Sequence, residues 1–178
     1  TLTLSGAGGS TIDVASGLTA TVNSILGGTA ALIKNGSGTI ITGGGSGNTH
    51  TGAVTINDGV FEIAKTGFVG GIDNAAAVTV AASGTLRLNG AAAYTQETIG
   101  SLSGAGSVTN VGAAAVNLVI AGAASTAFSG TITNGTNALN LEKNTGAGTP
   151  TLSGANSYTG TTTISTGAIN IQNATTLG

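Results

Sequence analysis

The sequence contains no Cys, Met or Trp, and it has one His and one Pro. With one His and no Cys, there are too few nitrogen and sulfur ligands for a structural zinc site or a redox metal centre. A chain without thiols suits export through an oxidising compartment, where a stray Cys would be a liability. The Gly-Gly-x-Gly-x-Asp pattern and the Asp-rich loop of calcium sites are missing as well. We therefore expect no metal and no cofactor.

Charged and aromatic residues are scarce, at 6% and 3% of the chain, whereas charged residues make up about a quarter of an average globular domain. The chain is still 40% hydrophobic with a formal net charge of −2, which argues against disorder. Its four cations form no basic cluster, so we expect no nucleic-acid partner. The most apolar stretch, residues 111–124, is interrupted by Asn117 and is shorter than the roughly 20 residues that a membrane-spanning helix requires.

Short apolar runs alternate with Thr, Ser and Asn along the chain, as in Thr55-Ile56-Asn57 and Leu86-Arg87-Leu88. Alternation with a period of two residues predicts β-strands. Glycine, with 32 copies, separates these runs, often as Asn-Gly or Asp-Gly, where the backbone can take a positive φ without steric cost. Such pairs stand at 35–36, 58–59, 89–90 and 134–135 and predict tight corners.

The chain also repeats itself. Residues 48–63 align without a gap with residues 156–171, and a Lys in a Gly-rich run precedes each copy. With these flanks, the repeat-like copies span 32–63 and 141–171. The tetrapeptide Leu-Ser-Gly-Ala occurs three times, beginning at Leu4, Leu102 and Leu152. Irregularly spaced repeats favour a solenoid over a propeller, because each coil contacts only its neighbours and tolerates insertions at its corners.

We predict an all-β fold, a parallel β-solenoid or β-helix. Coils of roughly 20–25 residues, typical of such repeats, would give about eight coils. With strands stacked about 4.8 Å apart, the rod would be roughly 40 Å long. Alternate residues of each strand point inward, which places Phe61 and Ile63 inside, like Ile169 and Ile171 in the second copy. Glu62 then points outward, and we expect it to be a solvated surface residue.

The run from Leu152 to Ile171 reads Leu-Ser-Gly-Ala-Asn-Ser-Tyr-Thr-Gly-Thr-Thr-Thr-Ile-Ser-Thr-Gly-Ala-Ile-Asn-Ile. This pattern resembles the autotransporter-associated β-strand repeat, also called the passenger-associated transport repeat. The copy from Thr39 to Ile63 departs from it: His50 stands where Tyr is usual, and a Gly-rich run replaces Leu-Ser-Gly. The resemblance implies a right-handed parallel β-helix of a bacterial protein, exported with the outer-membrane translocator barrel of the full-length protein. It also implies display at the cell surface or release outside the cell, and no catalytic residues.

Two arrangements could carry catalysis. His50 could serve a hydrolase of the Ser-His-Asp type, but the chain has no Gly-x-Ser-x-Gly elbow, and His50 occupies the position of Tyr158 in the other copy. We expect it to pack within a coil or a turn. Asp73 and Glu97 lie about one coil apart, so a solenoid could bring them together as the paired acids of a polysaccharide-cleaving enzyme. We expect instead that the acids lie at turns or on the surface and that the chain is not an enzyme.

Thr-x-Thr pairs could form the flat ranks of Thr that are typical of ice-binding solenoids. Because the pairs are irregularly spaced, we expect ordinary outward strand positions, which favour β-branched residues. The pairs are Thr1/Thr3, Thr19/Thr21, Thr49/Thr51, Thr131/Thr133, Thr149/Thr151 and Thr161/Thr163.

Taken together, these features predict a single solenoid over residues 1–178, an internal fragment of a longer passenger that forms a non-catalytic extracellular stalk with a structural or adhesive role. A surface of low charge favours self-association and contacts with cell-surface or matrix glycans. One alternative is a subunit of a secreted filament or surface layer, because uncapped solenoid ends present strand edges that head-to-tail stacking would pair. A polysaccharide-active β-helix enzyme is a further alternative.

Overall fold

A computed structural model describes residues 1–67 and 70–173, and every regular element within these ranges is a β-strand. The strands are β1 (Leu2–Leu4), β2 (Ser10–Asp13), β3 (Thr19–Val22), β4 (Leu26–Gly28), β5 (Leu32–Asn35), β6 (Thr39–Thr42), β7 (Thr49–His50), β8 (Val54–Ile63), β9 (Ala77–Leu88), β10 (Gln96–Ile99), β11 (Ser101–Gly104), β12 (Ser107–Asn110), β13 (Val116–Ile120), β14 (Ala127–Phe128), β15 (Thr131–Gly135), β16 (Leu139–Lys143), β17 (Thr151–Leu152), β18 (Thr162–Ile164) and β19 (Asn170–Ile171).

The strands form three rows that run along the rod, and within a coil the chain passes through rows 1, 2 and 3 in that order. Row 1 contains β1, β4 and β7 and, further along the rod, β10, β13, β16 and β18. Row 2 contains β2, β5, the first parts of β8 and β9, β11, β14, β17 and β19. Row 3 contains β3, β6, the last parts of β8 and β9, β12 and β15. The pairings within all three rows are parallel, which confirms the predicted parallel β-solenoid.

The strand register gives the length of each coil. The longest coil takes 25 residues, from Asp58 to its partner Ser83. The shortest takes 19 residues, from Thr151 to its partner Asn170. Row 2 has one strand from each of eight coils. The predicted coil length and the predicted number of coils are both confirmed.

The core lies between the three rows, where inward side chains stack into columns. Phe61 and Ile63 are fully buried, as the alternation predicts, and Ile169 and Ile171 pack against the core from the last described coil. Branched aliphatic residues suit such columns because they fill a narrow space without large aromatic rings. The column of row 3 contains Ala20, Ile40, Phe61, Leu86, Val108 and Ile132.

The prediction for Glu62 was wrong in one respect. Its side chain lies on the outer surface of row 3, but only 7% of the residue is exposed. Arg87 stands beside it in register on the next coil, with its Nη1 3.3 Å from Glu62 Oε2. Asn89 Nδ2 also donates a hydrogen bond of 2.9 Å to Glu62 Oε1. Side chains of the neighbouring coil therefore cover the carboxylate, as cross-strand pairs of opposite charge do in sheets.

Coils are numbered by their row-2 strands, so that β8 belongs to coil 3 and β9 to coil 4. The described residues between β8 and β9 form no strand of row 1. The described residues there form a turn, in which the N–H of Ala76 donates to the carbonyl of Asp73. Row 1 is consequently divided into β1–β4–β7 and β10–β13–β16–β18, whereas rows 2 and 3 continue through coils 3 and 4 in the long strands β8 and β9. Polar side chains fill the interior at this interruption, and an outer groove begins beside it.

The two repeat copies occupy different rows. Residues 48–63 pass through rows 1, 2 and 3 in that order, as β7 and the two parts of β8. Residues 156–171 begin in row 3, where Ser157 N–H donates to Ile132 of β15, and continue through β18 in row 1 and β19 in row 2. The second copy is therefore displaced by one row around the rod relative to the first.

Equivalent residues of the two copies form equivalent hydrogen bonds in spite of this displacement. Asn48 Oδ1 accepts a hydrogen bond of 3.0 Å from Leu26 N–H in the preceding coil. Asn156 Oδ1 likewise accepts one of 3.0 Å from Ile132 N–H. The sequence of the repeat thus encodes a pattern of strands and corners that can begin in more than one row.

Candidate functional site

A groove of about 710 Å³ crosses the outer surface of row 1 from coil 4 to coil 7. The turn of coil 4 forms one wall and the corner after β16 forms the other, with β10 and β13 between them. Because β10, β13 and β16 pair in register, their outward residues form ranks across the groove, and Thr98 stands next to Val119. The lining residues are Asn74, Ala75, Gln96, Thr98, Val119, Ala121, Gly122, Ala123, Asn144 and Thr145.

The groove combines neutral polar groups with a small apolar floor. Val119 points outward but is only 1% exposed, so it forms the bottom of the depression. Gln96 Nε2 donates a hydrogen bond of 3.0 Å to Thr98 Oγ1, which holds both side chains against the strand. The described lining has amide and hydroxyl groups and no ionisable side chain. Chemically, this surface can exchange hydrogen bonds with an uncharged polar ligand.

Glu97 lies on β10, whose outer face lines this groove, but its side chain points into the interior, where it is fully buried. Its carboxylate accepts hydrogen bonds from Gly71 N–H at 2.8 Å and Ile72 N–H at 2.7 Å, and from Tyr94 Oη at 2.7 Å. These bonds bind the turn of coil 4 to coil 5 where the row-1 ladder is interrupted. Burial raises the pKa of Glu97 to about 7, although the three hydrogen bonds and the charge of Lys65 oppose that shift.

Lys65 extends this interior network to coils 2 and 3. Its Nζ donates to the carbonyl of Gly43 at 2.7 Å and to Asn48 Oδ1 at 3.0 Å. Asn48 Nδ2 in turn donates to the carbonyl of Gly71 at 2.6 Å. Burial lowers the pKa of Lys65, and the negative charge of Glu97 opposes that shift.

The other two lysines are buried as well, each within an inward column. Lys34 stands in register between Ile12 and Ile56, and its Nζ donates to three backbone carbonyls. Lys143 stands between Ile120 and Ile164 and donates to the carbonyls of Gly122, Thr145 and Gly146. Each ammonium thereby bonds to carbonyl groups at the corners of the coils. Burial lowers the pKa of Lys34, which the charges of Asp58 and Asp13 oppose.

The sequence interpretation did not identify these buried charges, yet it contained a signal for them. Lys34 follows Leu32 by two residues, Lys143 follows Leu141, and Glu97 precedes Ile99. The period of two therefore places all three charged residues on the inward side of their strands.

His50, the single His, is fully buried, and neither ring nitrogen has a hydrogen-bond partner among the described residues. Burial lowers the pKa of His50, and the charge of Asp73 opposes that shift. The expected packing role therefore agrees with its position. In the second copy, Tyr158 fills the equivalent place, and its hydroxyl lies 2.8 Å from Thr162 Oγ1. The residue equivalent to Thr162 is Val54, which cannot form that bond.

The acids singled out from the sequence lie in different settings. Asp73 Oδ1 accepts a hydrogen bond of 2.9 Å from Ala75 N–H in the turn of coil 4. Asp58 accepts one of 2.8 Å from Gly59 N–H in a corner. The expectation that acids lie at turns or on the surface holds for these two and is wrong for Glu97. Because Glu97 is enclosed, the structure does not present Asp73 and Glu97 as two acids facing one solvent-filled cleft.

The Thr-x-Thr pairs are distributed over all three rows. Thr19/Thr21 and Thr131/Thr133 lie in row 3, where Glu62 and Arg87 stand in the intervening rank. Thr151 lies in row 2, and Thr49 and Thr163 lie in row 1. The described strands therefore contain no continuous flat Thr surface.

Among residues 1–67 and 70–173, no three His, Cys, Asp or Glu side chains converge as a metal site would require. The same ranges contain no helix that is long and apolar enough to cross a membrane.

The chain matches a known protein family over two parts of its length. The model of the family described as passenger-associated-transport-repeat matches residues 32–63 and 145–171. The first range coincides with the first repeat copy, and the second lies within the second copy. No curated protein and no solved structure matches the chain.

Proposed function

We propose that this chain, a β-solenoid that carries two passenger-associated-transport repeats and so fits an autotransporter passenger, is a non-catalytic stalk that contacts uncharged glycans through its row-1 groove. The family implies a secreted or surface-displayed protein. We accordingly propose that the rod acts outside the cell, as a structural and adhesive element.

The lining of the groove is the observation that carries this proposal. Glycans present closely spaced hydroxyls, which amide and hydroxyl side chains can match without any ionic contact. An extended peptide fits less well, because β13 is already paired with β10 and β16 and offers no free strand edge for an added strand. The floor at Val119 supplies a small apolar surface for the carbon face of a sugar ring.

The proposed absence of catalysis is supported by the positions of the acids. A glycosidase needs two carboxyl groups that flank the bound sugar. The described lining of the groove contains no carboxyl group, and Glu97 points from the same strand to the opposite side. The outward carboxylate of Glu142, which stands in register beside Val119, is a single acid and does not make such a pair, so we propose that the groove holds a sugar chain without cleaving it.

Binding of neutral glycans to the purified chain tests this proposal. We expect Gln96→Ala and Asn144→Ala each to weaken binding roughly fivefold, since one hydrogen bond contributes about 1 kcal/mol. Asn57→Ala is the matched control. Asn57 is an exposed amide in row 2, away from the groove, and among the described residues its side chain bonds to Asn35 of the same row. Equal affinities for all four proteins, or no binding to any neutral glycan, would contradict the proposal.

A second candidate function, self-association into filaments, is favoured by the small charge of the chain. Its formal net charge is only −2, and Arg87 on the described surface is paired with Glu62. Electrostatic repulsion between copies is then weak. Electron microscopy and light scattering should detect assemblies whose abundance changes little with salt, and a strictly monomeric rod at high concentration would dismiss this candidate.

A further inference from the structure

Lys65 differs from the other two lysines in the contacts of its ammonium nitrogen. Lys34 and Lys143 each donate to three backbone carbonyls, which uses all three N–H bonds of a charged ammonium. Among the described residues, Lys65 Nζ has two acceptors, and one of them is the side-chain amide oxygen of Asn48 at 3.0 Å. Two acceptors are what a neutral amine can serve while it keeps a lone pair for reaction.

The amide of Asn48 is held in a single orientation. Its Oδ1 accepts a second hydrogen bond of 3.0 Å, from Leu26 N–H, and its Nδ2 donates to Gly71 at 2.6 Å. Two donors on the oxygen draw electron density from Cγ, as the donors of an oxyanion hole do. The amide therefore presents a polarised carbonyl beside a buried amine.

Glu97 supplies the acid that this pair needs. It is fully buried, it accepts a hydrogen bond from the N–H of Gly71, whose carbonyl holds Asn48, and its charge acts on Lys65. Burial disfavours the ammonium and the carboxylate alike, which is why the pKa of Lys65 is lowered and that of Glu97 is raised to about 7. Passing one proton from the lysine to the glutamate leaves both groups neutral in a low-dielectric interior.

We propose that Lys65 and Asn48 form an intramolecular isopeptide bond inside the solenoid. The amine first rotates so that its N–H leaves Oδ1 and its lone pair faces Cγ. The lone pair of Nζ then attacks Cγ, and the negative charge that develops on Oδ1 is stabilised by Leu26 N–H. One proton moves from Nζ to Nδ2, the Cγ–Nδ2 bond breaks and ammonia leaves. The ammonia departs as ammonium with the proton that Glu97 held, so the carboxylate is restored and no oxidant or other reactant is consumed.

The bond would close a covalent ring through coil 3, between two residues 17 positions apart. This is the place where row 1 is interrupted, so the cross-link reinforces the part of the rod that lacks a row-1 strand. The second repeat copy provides an internal comparison. Asn156 makes the same bond to a backbone N–H as Asn48, but the residue equivalent to Lys65 is Asn173. We therefore expect one isopeptide bond in the chain.

Mass spectrometry of the denatured, purified chain tests the proposal. The intact protein is expected to be lighter than its sequence by one ammonia. Trypsin cleaves after free Lys and Arg, so an unlinked chain releases residues 35–65 and 66–87. A linked Lys65 resists cleavage, and residues 35–87 should remain as one peptide that lacks one ammonia. Cyclisation of Asn48 to an imide also loses ammonia, but it leaves Lys65 cleavable.

Controls within the same experiment make the outcome decisive. Lys34 and Lys143 should be cleaved normally in the same digest, and Lys65→Arg and Asn48→Ala should have full mass. Glu97→Gln should lose most of the linked peptide, whereas Tyr94→Phe, which removes a hydrogen bond from the same cluster but no charge, should keep it. Wild-type protein that yields residues 35–65 and 66–87 at full mass would overturn the bond, and complete linkage in Glu97→Gln would overturn the role of Glu97.

Discussion

Among the described residues, the two ring nitrogens of His50 and Nε of Arg87 are buried polar atoms without a hydrogen-bond partner, and of these two side chains His50 is the one in the interior. His50 is enclosed, and its two ring nitrogens lack partners among the described residues. The equivalent Tyr158 satisfies its hydroxyl with Thr162. The pair at 158 and 162 has become His50 and Val54 in the first copy, so both halves of the hydrogen bond are lost together.

Restoring that pair should stabilise the protein. We expect His50→Tyr combined with Val54→Thr to raise the free energy of unfolding by about 1–3 kcal/mol, because an unpaired buried polar group is removed and a hydrogen bond is added. Denaturant unfolding measures the change. His50→Phe is the matched control that removes the nitrogen atoms without adding a bond, and it should recover only part of the gain. A double variant less stable than Val54→Thr alone would contradict this account.

Glu97 makes stability depend on pH. Its pKa is about 7 in the native protein and near 4.5 as the ordinary value, so the native state holds a proton that the unfolded state releases between these pH values. The resulting stabilisation is fully present below pH 4.5 and is lost as the pH rises through 7. His50 acts in the opposite direction, because its lowered pKa makes the unfolded chain bind more protons as the pH falls below 6.5.

Introducing Glu97→Gln into Asn48→Ala separates the two effects, since His50 is present in both proteins and neither can form the proposed Lys65–Asn48 bond. Between pH 4.5 and a pH above 7, the stability of Asn48→Ala relative to the double variant should fall by up to about 3 kcal/mol as the pH rises. Urea unfolding across this range gives the difference directly. Parallel pH profiles for the two proteins would show that Glu97 does not titrate in the native state.

At the scale of strands and corners, buried Asn residues join one coil to the next. Asn156 is 3% exposed, and its side chain pairs the N–H of Ile132 in the coil below. Asn110 is fully buried, and its Oδ1 accepts from the N–H groups of Gly90 and Gly112. These side chains take the place of strand partners where the backbone turns a corner.

Removing such a buried amide should lower the free energy of unfolding more than removing an exposed amide. We expect Asn156→Ala to lower the free energy of unfolding by about 1–3 kcal/mol, because the buried N–H of Ile132 is left without an acceptor. Asn57→Ala, at an exposed amide, should change it by about 0.5 kcal/mol or less. Thermal or denaturant unfolding compares the two variants. Equal decreases in the free energy of unfolding would mean that the buried amide of Asn156 stabilises the protein no more than the exposed amide of Asn57.

The sequence predicts a strand and its two faces well where the alternation of apolar and polar residues is long and unbroken. The alternation around Phe61 is unbroken, so the inward and outward sides of β8 followed from it correctly. The same parity places Lys34, Glu97 and Lys143 inside, but parity alone is a weak guide for charged residues, which are almost never fully buried unless they are paired. The cover over Glu62 could not be predicted, because it depends on which residue of the next coil stands in register with it.

For the molecule as a whole, the interruption of row 1 places most of the connection between coils 3 and 4 on two strands. β8 and β9 pair over rows 2 and 3, from Val54 with Val78 to Ile63 with Leu88. In a solenoid, stability is approximately a sum over neighbouring coils, so the most extensive pairing should open last.

Hydrogen exchange in the native protein tests this expectation. We expect the amides of β8 and β9 to exchange more slowly than those of the row-1 strands β7 and β10 on either side of the interruption. Peptide-resolved mass spectrometry can compare these strands within one sample. Faster exchange in β8 and β9 than in β7 and β10 would mean that the row-1 interruption does not weaken its neighbours.

The groove and the interruption lie beyond what the sequence could predict. Both depend on the residues of coil 4 between the strands, where no alternation indicates a course for the backbone. The total number of coils was nevertheless correct, because an interruption in one row does not change the average length of a coil.

The displacement of the two repeat copies by one row has a consequence for how such rods can grow. If the sequence of a repeat can begin in more than one row, then the smallest unit that can be gained is one strand with its corner, a third of a coil. Such a gain would move every downstream strand into the next row, while the hydrogen bonds between coils and the core were kept. A lineage could thereby redirect a binding surface around the axis without altering any residue of that surface.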